Sequence, residues 1–144
     1  MKGSYVILIR LPRATTIAIG SRKEAHFPRG HYAYVGSALS GLEARLSRHL
    51  KPDKKPHWHI DRLLERARIT DIIIGEADGK LECAIARALG ARFDCVPGFG
   101  SSDCPCPSHL FMAAQGERLK SAAAQAFQQL GVTPRLMELE SKPR

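Results

Sequence analysis

The chain has 144 residues, 44% of them apolar and 25% charged, enough to bury a continuous core and unlike a disordered or fibrous protein. No apolar run approaches the roughly 20 residues of a membrane helix, and the opening MKGSYVILIRLPR lacks a small-residue cleavage site; a cytoplasmic protein without membrane contact is expected. Its formal charge of +8 is one-sided: residues 1–70 carry 14 Lys and Arg against 5 Asp and Glu, whereas residues 71–144 carry 8 against 9. A basic half of this kind suits a polyanionic partner. The four cysteines are expected as thiols or metal ligands, not disulfides.

Residues 5–11 are rich in β-branched side chains and stop at Pro12; residues 15–19 follow and end at Gly20, so the two segments read as the strands of a hairpin. Residues 30–36 read as a third strand. Its period of two puts Tyr32 and Tyr34 on one face and Ala33 and Val35 on the other. From Ser40, a possible N-cap, the pattern turns helical, with Leu39, Leu42, Leu46 and Leu50 in one apolar stripe and Pro52 beyond the end. Arg45 and His49, four apart, share a flank of that stripe, while Arg48 points away.

Residues 60–67 read as a short helix, 69–74 as a buried strand and 81–89 as a helix with Glu82 at the border of its apolar face. Residues 96–107 are dense in Gly, Ser and Pro and are expected as a long surface loop, with a strand over 109–112. An Ala-rich helix over 118–130 turns Leu119, Ala122, Ala123, Ala126, Phe127 and Leu130 inward and closes at Gly131; a last strand follows at 135–139. The expected architecture is one α+β domain over residues 1–144, a small, mainly antiparallel sheet with flanking helices. A core over about 1–95 carries a loop, strand and helix extension over about 96–144.

Tyr34-Val-Gly36, followed by Gly41-Leu-Glu-Ala-Arg45-Leu-Ser-Arg-His49, resembles the second motif of the GIY-YIG nuclease superfamily and its Arg-Leu-x-x-His helix. Gly3-Ser-Tyr5 resembles the first motif, with Ser in the middle position, and Glu82 resembles the metal-binding glutamate. The stretches His57-Trp-His-Ile-Asp61 and GFGSSDCPCPSHLF, residues 98–111, look like a bacterial and archaeal branch of that superfamily. Three departures stand out: an extra hairpin separates Tyr5 from Tyr34, the spacing from Tyr34 to Arg45 is one residue longer, and no clear asparagine follows Glu82.

The resemblance implies a metal-dependent endonuclease that hydrolyses DNA phosphodiesters, in DNA repair or in processing foreign DNA. Tyr5 or Tyr34 would be the general base, Arg45 the phosphate clamp, His49 a polar contact or proton shuttle and Glu82 the ligand of Mg2+ or Mn2+. A tyrosine base needs nearby positive charge to bring its pKa below the usual value of about 10, and Arg45 or the metal would supply it.

Further candidates for nucleic-acid contact are Tyr32, Arg48, Lys54, Lys55, His57, Trp58 and His59; Trp58 either stacks on a base or packs in the core. Cys104-x-Cys106-x-x-His109, with Cys95 or His57 as fourth donor, would hold Zn2+, the less favoured metal; Asp103 and Ser102 would otherwise reach the cleft. Two other readings fit the same residues: an inactive nucleic-acid-binding module and a zinc-loop adaptor for a protein partner. DNA is the expected partner, the same surface being compatible with RNA, and no heptad sets an oligomeric state.

Overall fold

In the computed structural model, which describes residues 2–18, 24–38, 41–50, 59–97, 99 and 108–137, the strand at Gly3–Leu11 (β1) runs inside a six-stranded sheet. Gly30–Ala38 (β4) lies antiparallel on one side of it, and Arg68–Glu76 (β5) lies antiparallel on the other. Leu110–Ala113 (β7) extends the sheet beyond β4, and Asp94–Cys95 (β6) forms that edge. At the opposite edge, Arg135–Leu136 (β8) pairs with β5. The expected α+β class, a mainly antiparallel sheet with flanking helices, is the architecture observed.

The hairpin expected between residues 5–11 and 15–19 does not form. Thr15–Ala18 (β2) pairs instead with Glu24–Phe27 (β3) in a separate two-stranded sheet, because both edges of β1 are already occupied by longer strands. β3 and β6 escape sequence reading because four and two residues are too short for a period-two pattern to stand out.

Alternation along β1 and β4 gives the sheet two apolar faces. Tyr5, Ile7, Ile9, Leu11 and Tyr32 point to one side, with Tyr34 packed against them; there Leu42–Leu50 (α1), His59–Leu64 (α2) and the β2–β3 hairpin cover them through Leu42, Leu46, Ile60, Leu63, Ile17 and Phe27. Val6, Leu8, Ala33 and Val35 point to the other, beneath Glu82–Gly90 (α3) and Gly116–Gln129 (α4). Helices on both faces explain why β1 is buried along nearly its whole length and reads as a continuous apolar run.

α4 buries Leu119, Ala122, Ala123, Ala126 and Phe127, the expected stripe, but Leu130 lies past its last turn and is exposed. Gly131 adopts a positive φ of 78°, the left-handed conformation that ends a helix at little cost only for glycine. β7, α4 and β8 are integral to the sheet and its cover. Among the described residues no helix is long and apolar enough to cross a membrane.

Candidate active site

Register places the two tyrosines. Tyr5 pairs with Gly36 and Ile7 with Tyr34, so both rings stand on the α1 face, one step apart on neighbouring strands. Gly36 leaves the gap that Tyr5 fills: a Cβ there would run into the Tyr5 hydroxyl and ring carbons. The glycine after Tyr34-Val is therefore required sterically by the other tyrosine.

α1 lays its polar flank over these rings. His49 is buried, with its Nε2 3.0 Å from the Tyr5 hydroxyl oxygen. Its ring meets Tyr5 at a centroid distance of 5.6 Å and Tyr34 at 6.1 Å. Arg45, one turn earlier, donates through Nη1 to the Ser37 carbonyl oxygen at 3.0 Å and also engages the Tyr5 hydroxyl through its charge and a hydrogen bond. Phe99 packs edge-on against Tyr34, with centroids 6.2 Å apart, and against Phe27. It is tied to β7 by the His109 amide, which donates to the Phe99 carbonyl.

Glu82 opens α3 on the other side of the sheet, yet its charge acts on both tyrosines. A buried hydroxyl pair explains how it reaches them. Ser4 Oγ lies 2.8 Å from Ser37 Oγ and accepts the Leu81 amide at 3.2 Å, fixing the start of α3 beside Tyr5 at the same end of the sheet. Glu82 Oε2 stands 3.7 Å from Nδ1 of the buried His109. Its side chain remains 21% exposed, so solvent and solutes can reach the carboxylate.

Burial dominates the acidity of the phenols. It pushes Tyr5 up to about 12, and the opposing pull of Arg45 does not restore the ordinary value. Tyr34 is raised further, first by burial and then by Tyr5 and Glu82. The expected net lowering by positive charge is absent from these resting residues: both phenols hold their protons at neutral pH. The Tyr5 O–H therefore donates to His49 Nε2 when that nitrogen is the unprotonated one.

Other expected contacts take different places. Tyr32 is buried and donates its hydroxyl to the Pro28 carbonyl, which makes it a core residue and removes it from any contact surface. Arg48 binds both carboxylate oxygens of Asp61 at 3.1 and 3.0 Å, tying α1 to α2 rather than standing free for phosphate. Lys54, Lys55, His57, Trp58, Ser102, Asp103, Cys104 and Cys106 lie outside the described residues, as does the side chain of His59. Cys95 sits in β6 as a free thiol, whereas Cys83 is disulfide-bonded, which overturns the expectation of thiols at that position.

Sequence reading missed Asp61, Ser4, Ser37 and Phe99. Asp61 has a fully buried carboxylate whose charge acts on both tyrosines. An acid directly after Ile60 and two residues before Leu63, closing the His57-Trp-His-Ile-Asp61 stretch, was the local hint of it.

Among the described residues no group of three or more His, Cys, Asp and Glu is gathered closely enough to hold a metal by itself. The partly open Glu82 carboxylate nevertheless fits a hard divalent cation that keeps waters and shares its coordination with a substrate phosphate.

Fold and site together define a mixed α+β domain with a Tyr–His–Arg cluster under one helix and a carboxylate brought in by another. The chain belongs to the family described as Domain of unknown function DUF123, which it matches over residues 4–132. Comparison with curated proteins and with solved structures gives no match.

Proposed function

We propose that this protein is a GIY-YIG-type endonuclease that hydrolyses DNA phosphodiester bonds. The observation that carries the reading is the convergence, at one end of the sheet, of Tyr5, His49, Arg45, Tyr34 and Glu82, which come from three separate stretches of sequence. Hydrolysis asks for a proton acceptor for water, a cation for the phosphoryl oxygens and a site that offsets charge on the leaving oxygen.

Tyr5 is the better placed base because its hydroxyl has an acceptor of its own. As water attacks phosphorus it gives a proton to the Tyr5 oxygen while the Tyr5 proton passes across 3.0 Å to His49 Nε2. Net transfer runs from water to imidazole, so no free phenolate has to exist at neutral pH. Arg45, fixed by Ser37, meets the non-bridging oxygens, and Phe99, edge-on against Tyr34, holds that ring beside them. Glu82 would hold Mg2+ or Mn2+, whose chemistry there is to neutralise charge on the leaving oxygen.

A binding module without chemistry is the second reading, favoured by the raised pKa of both phenols, which inert core tyrosines share. One experiment decides between them: labelled single-stranded, duplex and branched DNA with Mg2+ or Mn2+ at low salt, comparing the parent with Arg45→Ala and Glu82→Ala. Cleavage that both variants lose supports the nuclease. Salt-sensitive binding without cleavage supports the module.

A further inference from the structure

We infer that His109 is the second protein ligand of the cation held by Glu82, and that the site accordingly selects a nitrogen-accepting divalent ion of the Mn2+ class over Mg2+. This deepens the reading of Glu82 as a metal ligand and rests on it.

The pair is built, not incidental. His109 is buried at the start of β7, with its amide bonded to the Phe99 carbonyl at 2.8 Å and its carbonyl accepting the Val35 amide at 2.9 Å. Glu82 is fixed from the other side by the bond between the Leu81 amide and Ser4. Backbone anchors on two elements thus hold Nδ1 and Oε2 3.7 Å apart, beyond the range of a hydrogen bond.

The pair can close onto one ion. A six-coordinate cation about 2.1 Å from each of two adjacent donors needs them about 3.0 Å apart, a small closure that the partly exposed Glu82 side chain can make. Mg2+ prefers all-oxygen octahedra, whereas imidazole nitrogen suits Mn2+ and the later divalent ions. With two protein donors, coordination stays open for water and phosphate, in keeping with the exposure of the Glu82 side chain, 21%.

The test uses the full-length protein and Mn2+ alone, without DNA, so that failure of this assignment is separable from failure of the nuclease reading. Free Mn2+ is counted by electron paramagnetic resonance during titration, and bound Mn2+ is examined for nitrogen coupling by electron spin-echo modulation. Expected are saturable binding at least about tenfold tighter than for competing Mg2+, a nitrogen signal retained in His26→Gln, at an exposed position of β3, and loss of that signal with at least about tenfold weaker Mn2+ binding in His109→Gln. If the buried His109 does not tolerate replacement, Glu82→Gln, at a partly exposed position, must abolish the same nitrogen signal. Bound Mn2+ without nitrogen coupling, equal affinity for the two ions, or a signal that survives Glu82→Gln overturns the assignment.

Discussion

On the proposed mechanism Tyr5 meets two conflicting demands, burial that keeps it neutral and a reaction that needs its proton moved. His49, with Nε2 3.0 Å from the hydroxyl, would reconcile them by accepting the proton. Tyr5→Phe keeps the ring and its packing and removes only the transfer; on the proposed mechanism cleavage falls by about 10²–10⁴-fold in steady-state assays while the melting temperature changes little. His49→Gln should match it, and the double variant should lose no more than either single one, because the two groups act as one unit.

The same burial sets a pH dependence of stability. Because the folded pKa of Tyr5 lies near 12 against about 10 when unfolded, its contribution is fully present below pH 10 and lost as pH rises through 12; Tyr34 shifts the same way. Absorbance of phenolate during a pH titration should show these tyrosines ionising together with alkaline unfolding. Early, independent ionisation near pH 10 would contradict the burial described. Arg45→Ala should move the Tyr5 transition upward, since Arg45 is the group holding it down.

At the scale of elements, the legible parts were those with long, regular patterns. β1, β4, α1 and α4 were visible because each supplies enough turns or alternations for one apolar face to emerge. Tyr5, Tyr34, Arg45, His49 and Glu82 could be grouped before the fold was known, through their resemblance to a motif set, not through spacing alone. Strand partners were not legible: nothing local in residues 15–18 says that they face 24–27 instead of β1. Asp61 and Arg48 lie 13 residues apart on different helices, so their pairing is a product of packing.

That pairing and two glycines give tests of the elements. Arg48→Ala removes the guanidinium bonded to both oxygens of a carboxylate with no exposed surface and should cost about 2 kcal/mol in denaturant unfolding, loosening α2 from α1. Gly75→Ala would drive a Cβ to 2.6 Å from the Phe127 ring and 2.7 Å from Val132, so α4 must shift, at about 1–3 kcal/mol. Gly36→Ala instead strikes Tyr5, and should reduce cleavage more than it reduces stability.

For the whole molecule, charge decides how a polyanion is met. The positive excess lies in residues 1–70, which also carry Tyr5, Tyr34, Arg45 and His49. Binding to nonspecific duplex DNA should weaken linearly on a log–log plot against salt, with a slope near −0.9 for each phosphate neutralised. A slope near zero, measured by fluorescence anisotropy between 50 and 200 mM salt, would show that the basic half serves something other than a phosphate backbone.

β1 between β4 and β5 also has a consequence for how the chain is made. Its inner register needs residues 30–38 on one side and 68–76 on the other, and the site beside it needs Glu82. At a translation rate of 5–20 residues per second, the interval between Tyr5 and Glu82 leaving the ribosome is roughly 4–15 s. Until residue 76 has emerged, late in that interval, a nine-residue, largely apolar strand has at most one of its two neighbours. Nascent chains of this protein should therefore depend on chaperone shelter early in synthesis, and a stall placed before residue 68 should make them aggregate where a stall after residue 136 does not.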